Sequence, residues 1–284
     1  MTTSTLCPHC GASVPANDAG VSQSQNCPAC DKNLLGPVRE HPAARRLRPA
    51  FWVVLAAFAI GVGYSLYLGI SNAMDASRRS ACISHVQQLT LALQNHESKT
   101  QRYPGPALLS DEGAPLLSWR VSLLPYMNQA ALFSRFDVKQ PWNSPHNAPL
   151  VDEMPEVYRC PADPYEKGKT GYQAVVGPGF VFDPKSPQGL RVGDLKDGTS
   201  RTVVIVEACD SRVDWTEPKD LDGATMQFQM GGGTGELSGR HAQGRATVSY
   251  ADGHTQSLSP RIDPRVLKGL MTRDCGECTD MSEL

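Results

Sequence analysis

Four cysteines near the start of the chain have the residue type and spacing of a metal site. Cys7-Pro-His-Cys10 and Cys27-Pro-Ala-Cys30 are two Cys-x-x-Cys pairs separated by sixteen residues. Each pair presents two sulfurs on one side of a turn, and four thiolates suit a tetrahedral Zn²⁺. The intervening residues are too polar and too few to form a core, so a bound metal would supply the folding free energy. The sequence predicts one structural zinc site within residues 1–36.

Two disulfides or free thiols are the alternatives for these cysteines. Disulfides fit poorly with a cytoplasmic location. His9 lies inside the first pair and is not expected to be a ligand, since four cysteines complete the coordination shell. The segment resembles a bacterial zinc ribbon, which implies a docking role rather than catalysis. No nucleic-acid partner is expected, because the net charge is -2 and no basic cluster accompanies the cysteines.

An apolar stretch follows this cysteine-rich segment. No charged residue occurs from Pro49 to Met74. Twenty-one helical residues span about 30 Å, which is the thickness of the hydrocarbon core of a bilayer. A buried core helix is the alternative, but one of this length would have polar residues on one face. The sequence predicts a transmembrane helix over residues 50–74, preceded by a linker at 37–49, with the lipid bilayer as partner.

The charges flanking this stretch predict its orientation. Basic residues are more frequent on the cytoplasmic side of bacterial membrane spans. Five precede the stretch, and two follow it closely. They are Lys32, Arg39, Arg45, Arg46 and Arg48 before it, and Arg78 and Arg79 after it. The prediction is a single-pass protein of the inner (cytoplasmic) membrane with a cytoplasmic N-terminus and an extracytoplasmic domain at residues 75–284.

The region after the apolar stretch has the pattern of an α+β domain. Apolar residues recur at helical spacing, and one helix is predicted from about Ala50 to Glu97. A second helical pattern covers Leu116–Phe136. Strand-like runs then follow, and the last two flank an Asp-Gly turn that is typical of a hairpin. The helical stripe is Ile83, Val86, Leu89 and Leu93, and the strand-like runs are Tyr172–Val176, Thr202–Glu207, Thr247–Tyr250 and Thr255–Leu258.

Acidic residues cluster in the sequence from the last residue of the second run onward. Their spacing does not match an EF-hand, so a solvated loop is predicted rather than a calcium site. The residues are Glu207, Asp210, Asp214, Glu217, Asp220 and Asp222.

Seven segments between about Arg78 and Glu277 together resemble one protein family. They are RRSACISHVQQLTLALQNH, SWRVSLLPYMNQAALFSRFD, PWNSPHN, VYRCPADP, DLKDGTSRTVVIVEA, VDWTEPKDL and SGRH…ADGH. The family is a large planctomycete family of unknown function with a prepilin-type N-terminal helix and a C-terminal H-x9-DG motif. The resemblance implies a type II secretion pseudopilin architecture, in which a long helix packs on a small antiparallel sheet. No enzymatic activity is established for that family.

The chain departs from that family at two places. The family's cleavage glycine and assembly glutamate are replaced here by Ala50, before Phe51, and by Leu55. Cleavage before Phe51 and filament assembly are therefore not expected. In the C-terminal motif, ten residues rather than nine separate His241 from Asp252. Asp252 and Gly253 suit a tight turn, and His241 is predicted to brace a strand rather than to act in catalysis.

Two further cysteine pairs belong to the region after the apolar stretch. Cys82 and Cys160 lie within family-like segments, and a disulfide between them would tie the long helix to the sheet. Cys275-Gly-Glu-Cys278 has the spacing of a redox pair but lacks a thioredoxin-like context.

The leading hypothesis is a non-enzymatic membrane protein with a structural or interaction role at the cell envelope and unidentified protein partners. Two alternatives remain open. One is a membrane-tethered enzyme or redox protein that uses His241 or the Cys275–Cys278 pair. The other is an envelope sensor built on the zinc ribbon.

Overall fold

The structure is a computed structural model and describes residues 4–15, 26–34, 42–164 and 166–274. The chain divides into two compact units, Met1–Gly69 and Ile70–Leu284. The helices are α1 (Pro42–Thr100), α2 (Trp119–Ser122), α3 (Ala130–Phe133) and α4 (Pro264–Met271). The strands are β1 (Ser4–Leu6), β2 (Ser13–Pro15), β3 (Ala107–Leu109), β4 (Pro115–Ser118), β5 (Lys169–Thr170), β6 (Tyr172–Gln173), β7 (Val175–Val176), β8 (Val203–Glu207), β9 (Val213–Asp214), β10 (Leu221–Asp222), β11 (Ala246–Tyr250) and β12 (Thr255–Leu258).

The long helix α1 confirms the main helical prediction and begins earlier than expected. It starts at Pro42, where a missing backbone N–H costs nothing because the first helical amides have no intrahelical partner. The apolar side chains from Phe51 to Ile70 are exposed. Among the described residues, one helical stretch, Phe51–Thr100, is long and apolar enough to cross a membrane.

The second unit contains a four-stranded antiparallel sheet, which confirms the predicted α+β class. The strand order is β12-β11-β8-β6. Val86, Leu89 and Leu93 of α1 are buried in one hydrophobic cluster with Ile205 of β8. Thr90 of α1 donates a hydrogen bond from Oγ1 to Ser249 Oγ of β11 at 2.7 Å. The amphipathic half of α1 therefore packs on this sheet.

A second hydrophobic cluster lies between the sheet and α4. It contains Val206 of β8 and Val248 of β11, which pair with each other across the sheet. Leu267 and Leu270 of α4 belong to the same cluster and are fully buried. The sheet therefore contributes side chains to two separate apolar cores.

The helical prediction for Leu116–Phe136 is wrong. This stretch contains β4, α2, a 3-10 turn at Leu124–Met127 and α3. Pro125 lies at the start of the 3-10 turn, and Asn128 adopts a left-handed conformation with φ 59° that ends it. The apolar residues recur because short turns direct them into the core, not because one helix continues.

The solvated-loop prediction for the acidic cluster is also wrong for two of its members. Glu207 at the end of β8 is fully buried. The side chain of Asp220 is 1% exposed, and its Oδ1 accepts a hydrogen bond from Arg120 Nη2 at 2.6 Å. Inside the domain, the backbone N–H of Thr247 donates to Glu207, and the buried guanidinium of Arg120 pairs with Asp220.

Candidate metal centres

The four N-terminal cysteines converge as the sequence predicted. The Sγ atoms of Cys7 and Cys30 are 3.9 Å apart, and those of Cys10 and Cys27 are 3.7 Å apart. All four sulfurs lie within 4.8 Å of one another. Thiolates bound at 2.3 Å to one tetrahedral ion would be about 3.8 Å apart. The four cysteines are thus close enough to hold a metal ion.

Two matching turns place these sulfurs. After β1, Gly11 donates its backbone N–H to the Cys7 carbonyl at 2.9 Å, and Asp31 donates to the Cys27 carbonyl at 2.8 Å. Gly11 and Asp31 both adopt positive φ, which lets the chain reverse directly after each Cys-x-x-Cys pair. The sequence repeat thus becomes a repeat of backbone geometry.

Local hydrogen bonds favour the thiolate form of Cys7, which is the form that binds a metal ion. The His9 backbone N–H donates to Cys7 Sγ at 3.4 Å, and it is the largest of several hydrogen bonds that together lower the pKa of Cys7 to about 6. Metals bind the thiolate, so a lowered thiol pKa favours coordination. The His9 ring is engaged elsewhere, because its Nε2 lies 3.1 Å from the Asn33 carbonyl oxygen and donates to it.

The Asp-Gly motif forms the turn between β11 and β12, as predicted. Gly253 has φ +96°, a conformation that strongly favours glycine. Asp252 Oδ1 accepts hydrogen bonds from the backbone N–H and Nδ1 of His254, at 3.1 and 2.6 Å. Gln94 of α1 donates to the Ala251 carbonyl at 3.0 Å and so attaches the turn to the long helix.

His241 lies in a different environment, beside the two cysteines that were predicted to form a disulfide. The structure has Cys82 and Cys160 as free thiols, and the disulfide between them stays a prediction. Their sulfurs lie within 4.8 Å of each other and of ligand atoms from Glu207 and His241. Cys82 belongs to α1 and Glu207 ends β8. Cys160 follows a 3-10 turn, and His241 directly precedes another. We call these four residues the inner cluster.

Burial and mutual contact strongly shift the pKa values of residues in the inner cluster. Burial raises the pKa of Glu207, against an opposing effect of the hydrogen bond to His241. Burial lowers the pKa of His241, but hydrogen bonds to Cys160 and Glu207 outweigh it and raise that pKa to about 10. Hydrogen bonds from Cys209 and Cys82 lower the pKa of Cys160. These shifts in pKa favour the deprotonated form of Cys160 and the protonated form of His241.

A cysteine and a histidine in contact invite comparison with a nucleophile and its base. In a catalytic triad, one ring nitrogen of the histidine contacts the nucleophile, and the other contacts the carboxylate that orients the histidine. Here Cys160 Sγ and Glu207 Oε1 both lie against the same atom, His241 Nε2, at 3.7 and 3.3 Å. The three groups point at a common centre, an arrangement typical of metal ligands.

Sequence reasoning paired Cys82 with Cys160 and missed Glu207 and His241 as their neighbours. A signal existed, because each of the four residues lies in one of the segments that carry the family resemblance, and together they form a ligand set. Cys275 and Cys278 lie outside the described residues, so the redox-pair hypothesis stays a prediction.

Comparison with known families supports the resemblance in its general form. Residues 71–188 match SBP_bac_10, a family described as a protein of unknown function (DUF1559). This segment includes Cys82 and Cys160 but ends before Glu207 and His241. No curated protein and no solved structure matches the chain.

Proposed function

We propose that this chain is a non-enzymatic protein of the cell envelope, anchored in the inner (cytoplasmic) membrane by residues 50–74 of α1. The observation that carries the proposal is the exposed apolar surface of that segment. Phe51, Phe58, Ile60 and Leu66 are each at least 60% exposed. Soluble proteins rarely expose so continuous an apolar patch to water, whereas a lipid bilayer buries the apolar side chains around a single helix.

The proposed orientation places residues 1–49 in the cytoplasm and residues 75–284 outside. The basic residues before the span outnumber those that follow it closely, and this imbalance orients bacterial membrane helices. Leu55 stands where a pilin subunit has its assembly glutamate. We therefore propose a fixed anchor that joins the cytoplasmic ribbon to the outer domain, and not a polymerising subunit.

The proposed cytoplasmic element is a closed zinc ribbon. Its sulfur-to-sulfur distances of 3.7 and 3.9 Å fit four thiolates around one Zn²⁺. A cytoplasmic location keeps the thiols reduced and available to the metal. A four-cysteine site leaves no open coordination position for substrate, so its role would be to fold the ribbon for docking to a protein partner.

The non-enzymatic part of the proposal draws on the surroundings of His241. Its side chain is 2% exposed, which leaves a substrate no direct access to the ring. Its Nε2 faces both Cys160 and Glu207, an arrangement unsuited to a catalytic triad. These observations favour a structural role for the inner cluster over a catalytic one.

Membrane extraction combined with protease accessibility tests the proposal. The full-length chain should stay in the membrane pellet at alkaline pH. Protease added to intact spheroplasts should digest the domain at 75–284 and leave a fragment that carries the ribbon. Release at alkaline pH would contradict the membrane anchor, and protection of the domain with loss of the ribbon would reverse the orientation.

A matched pair of variants sharpens the extraction experiment. Ile60→Arg puts a charge at the centre of the span, at an insertion cost of about 2.5–3.5 kcal/mol, and should reduce membrane retention. Leu91→Arg changes a 55%-exposed residue of α1 outside the span and should leave retention unchanged. Equal retention of both variants would count against residues 50–74 as the anchor.

A further inference from the structure

We propose that Cys82, Cys160, Glu207 and His241 bind a second metal ion, of the Zn²⁺ class, inside the folded domain. This inner site is separate in sequence from the N-terminal ribbon and does not depend on it. The residue types form a ligand set for a transition metal, since two thiolates and an imidazole select against Mg²⁺ and Ca²⁺. Four protein ligands also predict a closed, structural site rather than a catalytic one.

The burial of the four side chains is the first observation in favour. Their residues are 0%, 2%, 0% and 7% exposed for Cys82, Cys160, Glu207 and His241. Ionisable groups are costly to bury unless they pair with each other or bind a metal. A divalent cation at the centre would hold both cysteines as thiolates and would compensate the negative charge of the two sulfurs and the carboxylate.

The distances between ligand atoms are the second observation. With ordinary bond lengths to tetrahedral zinc, sulfur should lie about 3.6 Å from a nitrogen or oxygen ligand, and nitrogen about 3.4 Å from oxygen. The structure has Cys160 Sγ 3.7 Å from His241 Nε2 and Cys82 Sγ 3.4 Å from Glu207 Oε1. His241 Nε2 lies 3.3 Å from Glu207 Oε1. These three distances between ligand atoms agree, to within about 0.2 Å, with the distances expected around one tetrahedral zinc ion.

The surrounding hydrogen bonds aim the ligand atoms at one point. The Thr247 backbone N–H donates to Glu207 Oε2 at 2.9 Å, which leaves Oε1 directed at the cluster. The Tyr172 hydroxyl donates to Cys82 Sγ at 3.1 Å. Cys209 Sγ also lies 3.6 Å from Glu207 Oε1, where it donates to the carboxylate. Outer contacts of this kind hold metal ligands in place in known metal sites.

The location of the inner cluster gives the metal a mechanical role. The ligands come from α1, from the loop after the 3-10 turn Glu156–Tyr158, from the end of β8 and from the loop before β11. A bound ion would link the long helix to the sheet, the task that the sequence assigned to a Cys82–Cys160 disulfide. The bridge and the metal need the same two sulfurs, so they exclude each other.

Metal analysis of the full-length chain, purified in detergent without chelators, tests the proposal. The protein should contain two zinc equivalents per chain. Replacing all four ribbon cysteines by serine should leave one equivalent, held by the inner cluster. If that variant retains none, the inner site does not exist. If it retains one while the wild type also contains only one, the ribbon proposal fails and the inner site stands.

Single substitutions assign the retained zinc to the cluster. In the ribbon-free background, His241→Gln and Glu207→Gln should each lower zinc occupancy at least tenfold after dialysis against a weak chelator. His254→Gln, the same change in the exposed hairpin turn, should not lower it. Unchanged occupancy in both cluster variants would overturn the assignment.

Alkylation of the wild-type protein tests the inner site without any variant, so the test still applies if a cluster variant does not fold. Cys82 and Cys160 should resist alkylation until a strong chelator is added and should then react as free thiols. Peptide mapping under non-reducing conditions that finds a Cys82–Cys160 disulfide in the protein as isolated would overturn the metal site.

Discussion

Removal of the Asp220 carboxylate should severely destabilise the second unit, Ile70–Leu284. Asp220 and Arg120 form an ion pair at 2.6 Å, with their side chains 1% and 0% exposed. The same carboxylate accepts hydrogen bonds from Trp119 Nε1 at 3.0 Å and from the Ala174 backbone N–H at 2.8 Å. Asp220→Ala would leave a buried guanidinium without its counter-charge and two donors without their acceptor.

The size of the expected stability loss follows from the burial of this ion pair. Breaking a buried ion pair by removing one partner costs about 3–5 kcal/mol, mainly because the remaining charge is uncompensated. Arg120 keeps hydrogen bonds to the Tyr172 carbonyl and to Ser118 Oγ, but these neutral acceptors do not replace a negative charge. In a domain of this size, each kcal/mol shifts Tm by about 2–4 °C, so the expected loss is about 6–20 °C.

Thermal unfolding of the full chain in detergent, followed by tryptophan fluorescence, measures this effect. Asp152→Ala is the matched control, because Asp152 pairs with Lys167 at 2.8 Å but both side chains are more than half exposed. An exposed pair contributes about 0–1 kcal/mol, so the control should lose at most about 4 °C.

A double substitution separates charge from packing. Arg120→Met combined with Asp220→Leu replaces the buried pair by apolar groups and should recover at least half of the lost Tm, since such replacements are often neutral or stabilising. A Tm shift for Asp220→Ala no larger than that for Asp152→Ala would show that the buried ion pair does not have the predicted effect on stability.

Two further predictions concern the hairpin turn and α1. Gly253→Ala should lower the free energy of unfolding by about 1–3 kcal/mol in urea titrations, because a side chain is strained at φ +96°. Gly193→Ala, at an ordinary φ with open space around the added Cβ, should change it by less than about 0.5 kcal/mol; equal losses would contradict the strain argument. Burial lowers the pKa of His96 below its ordinary 6.5, against the opposing hydrogen bond to the Arg102 carbonyl. The unfolded chain then binds the proton more tightly, so stability should fall as the pH drops through about 6.5. His96→Gln should flatten that dependence, and an unaltered pH profile would reject this assignment.

Local sequence was sufficient for the features that depend on neighbouring residues. Each Cys-x-x-Cys turn is built within a few positions, with Gly11 and Asp31 completing the reversal. The Asp-Gly turn between β11 and β12 and the apolar face of α1 are also short-range, and both were predicted correctly. The Leu116–Phe136 prediction failed because helical spacing also arises when successive short turns face one core.

The inner cluster depends on tertiary contacts that the local sequence does not specify. The cysteine spacing and the apolar stretch determined a candidate metal ribbon and a candidate membrane helix, because chain geometry alone brings those residues together. Cys82 and Glu207 are 125 positions apart, and Cys160 and His241 are 81 apart, yet each pair is in contact. Only the packing of α1 on the sheet decides that these four side chains share one buried point. Contact between α2 and the segment before β10 buries Asp220 against Arg120, since the position of a charge relative to the core depends on the whole fold.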